Sequence, residues 1–325
     1  MSSRRDIRVL THGHCFDGMV SAALFTALRK DELGSKAHFR YRSLGYGPKL
    51  GVIPEAWLTG DENALLDFKH TASGRLDWYF DHHKTAFASD RDRDKALATH
   101  GKRHRVYYDP ECTSCAKLIA RVATSELDFD VAPWAELVEW ADKVDSARFD
   151  SADEAFRAEA PALVLADVVE HHGDGPYLDR TVPLLVERPL VEVANTEETK
   201  RLHAPIARAK ATFLAAVRER GKASGDVVLL DLADGAPTPA GKFATYVAFP
   251  RCTYSVAVLR TRDQIKVGVG HNPWSGGARR HDLAELCRRE GGGGHPVVGA
   301  IAFADKELDR ARAVAQRIAL ELAST

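Results

Sequence analysis

Three short stretches gather side chains that bind metal ions: "THGHCFDG" with His12, His14, Cys15 and Asp17, "ALLDF" with Asp67, and "YFDHHKT" with Asp81, His82 and His83. Imidazole nitrogen and aspartate oxygen together suit Mn²⁺, Mg²⁺ or Zn²⁺, and a cluster with several carboxylates can hold two ions about 4 Å apart. Such a pair lowers the pKa of a water and steadies both the attacking and the leaving oxygen of a phosphoryl displacement. One carboxylate must then bridge, and Asp67, between the two histidine-bearing stretches, is the natural candidate. A fourth acidic pair, Asp142 and Asp145, lies in "WAELVEWADKVDSARF", three residues apart on one face near the end of an amphipathic helix. Negative charge is ill placed at a helix C-terminus unless a cation answers it.

The elements around these residues explain how they would meet. Residues 6–12, 37–44, 63–68, 76–80 and 105–109 read as buried strands, and 18–30 carries apolar residues at helical spacing. Strands alternating with helices imply a parallel, doubly wound sheet, whose ligand site lies outside the carboxyl ends of the strands. His12, His14 and Asp17 follow the first strand, Asp67 closes another, and Asp81, His82 and His83 follow a third. The lone CxxC pair, Cys112 and Cys115, has no second pair at zinc spacing and reads as the first turn of a helix.

A chain of 325 residues is about twice a typical domain, so two cores are expected. The boundaries read as a catalytic domain over 1–190, a helical linker over 191–222 interrupted by Pro205, and a smaller strand-rich domain over 223–325. With 45 basic and 46 acidic residues there is no global basic field for gripping a long polyanion, which leaves short anionic ligands. Five cysteines fit a reducing compartment rather than a disulfide framework, and no stretch has the roughly 20 apolar residues of a membrane span, so a cytoplasmic protein is expected.

The C-terminal half contributes "CRREGGGGHPVVGAIAF", where Gly291 to Gly294 would let the backbone approach an anion and His295 adds a donor. "GHNPWSGGARRH" holds Asn272, Trp274, Arg279 and Arg280; it reads either as a surface turn or as a substrate loop in which Trp stacks a base and Arg grips phosphate. "EHHGDG" over 170–175 reads as a polar loop.

Taken together, "THGHCFDG", "FDHHKT" and "GGGGHPVVG" resemble the motifs of the DHH phosphoesterase superfamily with a C-terminal DHHA1 domain, and the likeness runs from residue 12 to about residue 300. The resemblance implies a doubly wound DHH domain joined by the helical linker to a smaller α/β DHHA1 domain. It implies two Mn²⁺ ions, with Mg²⁺ or another divalent ion as substitutes. His12 and Asp17 would ligate different ions, Asp67 would bridge them, His82 would ligate with Asp81 supporting it or ligating, and His83 would contact the scissile phosphate. Gly292, Gly293, Gly294 and His295 match the element that grips substrate, and Arg279 and Arg280 join them. One departure stands out: Cys15 occupies the place of an expected aspartate, so that ion site is altered, weakened or completed by His14. For the fourth motif both Asp142 and Asp145 fit, with a slight lean to Asp142.

The activity so implied is metal-dependent hydrolysis of phosphodiester or phosphomonoester bonds, exonuclease-like, in a cleft between the domains, on short oligonucleotides or small nucleotides. The alternatives are a phosphoanhydride hydrolase acting on polyphosphate or pyrophosphate, and a nucleotide-binding regulatory protein impaired in catalysis. A homodimer is the oligomer kept open.

Overall fold

The computed structural model describes residues 4–45, 53–102, 104–261 and 264–324, and the chain divides into two compact units, residues 1–148 with 159–203 and residues 149–158 with 204–325. In the first unit β1 (Arg5–His12), β2 (Ala37–Leu44), β3 (Glu62–Leu66), β4 (Trp78–Asp81) and β5 (Arg105–Tyr108) form an all-parallel sheet in the order β2-β1-β3-β4-β5. Every residue of β3 is buried, as expected of a strand covered on both faces. The strand order reverses between β1 and β3, and this switch point is where a doubly wound sheet opens a crevice at its carboxyl edge.

Helix α1 (Phe16–Leu33) leaves β1 after a three-residue turn and is buried nearly all round, which its Ala- and Leu-rich sequence permits. Its start lies tight against the end of β1: a Cβ on Gly18 would stand 2.2 Å from the His12 carbonyl oxygen, so only glycine fits there. Against α1 pack α3 (Cys115–Glu126), α4 (Ala135–Asp145), α6 (Pro161–His172) and α7 (Gly175–Glu187). Across the sheet, α2 (Asp90–Leu97) buries Ala96 among Leu10, Leu65, Tyr79 and Val106. The "EHHGDG" stretch is not a loop throughout: His171 and His172 close α6, and Asp174 caps α7 by accepting from the Tyr177 N–H.

The chain passes α5 (Ala152–Arg157), α8 (Leu190–Ala194) and α9 (Glu197–Arg220) before the second sheet. Helix α9 is not split at Pro205 but runs on as one element. The second unit has a six-stranded sheet in the order β10-β11-β9-β8-β7-β6, from β6 (Lys222–Ser224), β7 (Val227–Leu232), β8 (Tyr254–Arg260), β9 (Ile265–His271), β10 (Gly293–His295) and β11 (Val298–Phe303). Only β7 and β8 pair in parallel. Helices α10 (Ala244–Ala248), α11 (Leu283–Arg289) and α12 (Leu308–Ala323) complete it, α12 laying Ala311, Val314, Ile318 and Leu322 into the core of β7, β8 and β9. No helix of the described residues is long and apolar enough to cross a membrane.

The glycine run is itself a strand. Gly293 and Gly294 pair with Ala300 and Gly299, and a Cβ on Gly292 or Gly294 would meet the carbonyl oxygen of Ala300 or Val298 at 2.2 Å. Part of the demand for glycine is therefore close strand pairing rather than an anion-cradling loop.

Candidate metal centre

His12, Cys15, Asp17, Asp67, His82, His83 and Asp145 supply three overlapping groups whose ligand atoms lie within 4.8 Å of one another: His12, Cys15 and Asp67; Asp67, His82 and His83; and Asp17, His82 and Asp145. Each follows from a strand end or a helix end. His12 is the last residue of β1, Cys15 the N-cap of α1, Asp17 in its first turn, and Asp145 the last residue of α4. Asp67 stands just past β3 with φ 55°, a left-handed conformation uncommon for residues other than glycine, though one that aspartate visits more readily than most. Such strain is retained where surrounding structure over-determines it, often at a site of action.

The centre of the cluster is His82. Its Nδ1 lies 3.1 Å from the Cys112 carbonyl oxygen and donates to it, so Nε2 is the nitrogen left to ligate a cation once its proton is lost. That Nε2 faces Asp145 at 3.4 Å, Asp67 at 3.5 Å and Asp17 at 3.8 Å. His12 Nδ1 approaches the other Asp67 oxygen at 3.5 Å. Among the described residues, Asp67 Oδ1, Asp67 Oδ2 and His82 Nε2 are buried with no hydrogen-bond partner. Buried carboxylate oxygens without donors cost several kcal/mol unless something else answers them. A divalent cation is the group that three carboxylates and an imidazole of fixed tautomer fit, and a backbone carbonyl on the far nitrogen is the usual second partner of a ligating histidine.

The electrostatics agree. Burial first, then Asp67 and Asp145, raise the Asp17 carboxyl well above its ordinary range, although it accepts from the Cys115 N–H at 2.7 Å and the Ala116 N–H at 2.9 Å where α3 begins. Burial and Asp67 raise Asp145 as well. For His82 burial opposes the charge, but Asp67, followed by Asp17, carries its pKa up to about 9. Burial, then Asp67 and Asp17, hold the Cys15 thiol well above its usual range. The metal-free cluster thus stores protons that an ion must displace.

A pH dependence follows. His82, with its pKa raised when folded, stabilises the metal-free chain below its unfolded pKa near 6.5, and that contribution is lost as pH rises through about 9. Ion binding needs the neutral imidazole, so affinity for Mn²⁺ is expected to rise about tenfold per pH unit between pH 6.5 and 8.5. The Mn²⁺-induced rise in melting temperature should therefore grow with pH; a rise independent of pH would exclude His82 as a ligand.

Asp81 does different work. It is fully buried, its Oδ1 accepts from the N–H groups of His82 (2.8 Å) and His83 (3.2 Å) and from His83 Nδ1 (2.8 Å), and its Oδ2 accepts from Tyr79 OH at 2.9 Å. With both oxygens committed, Asp81 positions His83 and stands outside the three ligand groups. That bond raises the His83 pKa, and Nε2 remains its free nitrogen among the described residues. Tyr79 was not singled out by sequence; its alternation with Asp81 on one strand was the available signal. Tyr79→Phe is expected to lower kcat about tenfold with little change in KM, because only the orientation of His83 is loosened. Steady-state kinetics would show it; an unchanged kcat would remove Tyr79 from the site.

Two further candidates named from the sequence lie outside the three ligand groups. Asp142 does not join the cluster: Lys117 Nζ lies 3.1 Å from it, and Arg148 and Thr113 also donate to it. Although burial pushes its pKa upward, Thr113 and Lys117 hold it below the usual carboxylate range. By geometry Asp145 rather than Asp142 is the candidate ligand of this helix. His14 is exposed and turns its Nδ1 to the Glu170 carbonyl oxygen at 3.1 Å, so Cys15 rather than His14 faces Asp67. Cys115 is buried at the start of α3 with Sγ 3.4 Å from the Phe80 carbonyl oxygen, a packing role.

In the second unit, Arg280 pairs with Asp226 at 2.8 Å, and Arg279 is exposed with Nη1 donating to the His281 carbonyl oxygen at 2.7 Å. Trp274 is no free stacking platform: its indole N–H donates to the Phe149 carbonyl oxygen at 2.8 Å and its ring packs edge-on to Phe243. Asn272 is buried, donating to the carbonyls of Pro250 and Cys252. His295 is exposed, and Gly293 and Gly294 line a cleft of about 520 Å³ with Lys242, Tyr246 and Lys266.

This two-unit α/β fold is shared by solved structures. A pGpG-specific phosphodiesterase, PggH, from Vibrio cholerae superposes with a TM-score of 0.69 at 22% identity, over 96% of this chain and 98% of that one. A DHH domain described as belonging to a family of ribosomal proteins gives 0.55 at 14% identity, over 98% of this chain and 88% of that one. RecJ in complex with Mn²⁺ from Thermus thermophilus gives 0.50 at 12% identity, over 98% of this chain and 52% of that one. No protein-family model and no curated protein matches the chain.

Proposed function

We propose that this chain is a divalent-metal-dependent phosphoesterase that hydrolyses small nucleotides or short oligonucleotides. The carrying observation is the crowding of Asp17, Asp67, His82 and Asp145 at the carboxyl edge of a doubly wound sheet. There Asp67 Oδ1, Asp67 Oδ2 and His82 Nε2 are buried without a hydrogen bond, Oδ1 meeting His82 Nε2 and Oδ2 meeting His12 Nδ1 only at 3.5 Å. Asp17, Asp67, His82 and Asp145 would hold one ion, and His12, Cys15 and Asp67 a second, with Mn²⁺ the first choice and Mg²⁺ the substitute. Bound there, divalent ions supply Lewis-acid charge and a water of lowered pKa for attack on phosphorus.

The chain's own side chains do the rest. His83, held at Nδ1 by Asp81, turns Nε2 to a phosphate oxygen, and the upward shift of its pKa favours the doubly protonated ring that can donate from there. The strain at Asp67 and the carbonyl behind His82 fix both groups before substrate arrives, so little reorganisation is left to the reaction. On the second unit, His295, the Gly292–Gly294 strand and Arg279 are proposed as contacts to substrate phosphate.

The likeness to a pGpG-specific phosphodiesterase makes a linear dinucleotide the first substrate to try, beside longer oligonucleotides, a nucleoside bisphosphate and pyrophosphate. Hydrolysis of a dinucleotide with Mn²⁺, absent with EDTA, is the expected result. Release of orthophosphate from pyrophosphate alone would select phosphoanhydride hydrolysis, and a panel left intact with Mn²⁺ and with Mg²⁺ would overturn the proposal.

A further inference from the structure

A second cluster of charge lies on the first unit, among residues that the metal centre does not use. Strands β1 and β2 pair in register with Arg8 opposite Arg40 and Leu10 opposite Arg42. Alternation along the strands puts Arg8, Arg40 and Arg42 on one face of the sheet. Like charges directly opposite one another on a sheet are destabilising, so this register carries a cost unless an anion answers it.

No protein carboxylate does so among the described residues. None of the three guanidiniums has an ion pair, and Arg8 Nε is buried without a partner. Several other arginines are answered by carboxylates: Arg29 is buried against Glu62, Arg180 takes Glu198, and Arg312 takes Asp231 and Asp234. The three arginines instead line an open cleft of about 470 Å³, in the size range of small-molecule sites. Among the described residues Asp179 is the one carboxylate in its wall, and its Oδ1 already accepts from the Tyr41 N–H at 3.0 Å.

Two further features suit a phosphorylated ligand. The Arg42 guanidinium lies over the Trp57 ring at 4.5 Å from its centroid, which holds it without neutralising it. Gly175, the first residue of the 13-residue helix α7, also lines the cleft and brings the helix N-terminus, capped by Asp174, to its wall. Arginine forks match phosphate oxygens in geometry as well as charge.

We propose that this cleft is a second ligand site, separate from the candidate metal ligands, for a small phosphate-bearing anion with at least two negative charges. The inference does not rest on the phosphoesterase reading. The test uses the full chain in EDTA at low salt, titrated calorimetrically with inorganic pyrophosphate and with ADP. Wild type should bind at least one probe, with affinity falling as salt rises. The double variant Arg40→Ala/Arg42→Ala, whose side chains are exposed and outside the core, should bind at least about tenfold more weakly, and Arg42→Gln should show a smaller loss in the same direction. Asp67→Asn should bind as wild type. Tighter binding of ADP than of pyrophosphate would indicate a contribution from the base and Trp57, whereas equal binding would indicate recognition of the anion alone. Wild type that binds neither probe, arginine variants with unchanged affinity, or binding lost in Asp67→Asn would each overturn the proposal.

Discussion

Asp67→Asn is expected to lower kcat/KM by about 10³-fold or more, roughly 4 kcal/mol of transition-state stabilisation, while leaving the chain folded. The residue belongs to two of the three candidate ligand groups, and its two oxygens face different histidines. Asparagine keeps the side-chain shape and tolerates the left-handed backbone at φ 55°, so the substitution changes charge with little strain. Burial raises the Asp67 pKa, but His12 and His82 outweigh it and leave the pKa lowered. Its ionised form therefore stabilises the metal-free fold above the unfolded pKa, and that contribution is lost as pH falls through the folded value. The variant should consequently melt slightly below wild type in EDTA at pH 7, and the rise in melting temperature given to wild type by Mn²⁺ should disappear. Calorimetry with and without Mn²⁺, together with dinucleotide hydrolysis, measures all three effects. A variant that keeps hydrolysis within tenfold of wild type would remove Asp67 from the centre.

Much of this centre was legible before any coordinates. A strand that ends in His12, another followed by Asp67 and a third running into Asp81-His82-His83 can deliver their side chains to one place only if the strands are parallel neighbours, and the observed order makes them so. Other features turn on contacts between residues far apart in sequence. Asp142 and Asp145 share a helical face, and what separates them is Lys117, 25 residues upstream, and Arg148 beyond the helix end. His14 had the chemistry of a ligand, but its conformation at φ 55° directs Nδ1 to the Glu170 carbonyl, 156 residues on. The glycine run signalled close backbone approach correctly in kind. Its neighbour, however, is the backbone of β11, and no local pattern distinguishes a carbonyl from a phosphate. Arg8 and Arg40 face one another only through the register of β1 and β2, which the chain fixes by burying Val9 and Tyr41 on the opposite side.

The carboxylates on α4 give the second large prediction, because two substitutions three residues apart should act in opposite ways. Asp145→Asn is expected to reduce hydrolysis at least about 100-fold, since it removes an oxygen 3.4 Å from His82 Nε2 in one of the ligand groups. Its effect on the metal-free fold should be neutral or stabilising. Burial and the nearby Asp67 raise the Asp145 pKa, so its ionised form opposes folding above that value, and the neutral amide relieves the conflict. Asp142→Asn should do the reverse. It discharges the partner of Lys117 and Arg148, both about half exposed, and is expected to cost about 1–2 kcal/mol of stability with a loss of activity below tenfold. Denaturant titrations in EDTA and hydrolysis rates at saturating Mn²⁺ separate the two effects. A larger catalytic loss from Asp142→Asn than from Asp145→Asn would return the metal to the upstream carboxylate and reassign Lys117 and Arg148. The opposition between function and stability at Asp145 is what a metal ligand requires: carboxylates close enough to share an ion repel one another when it is gone.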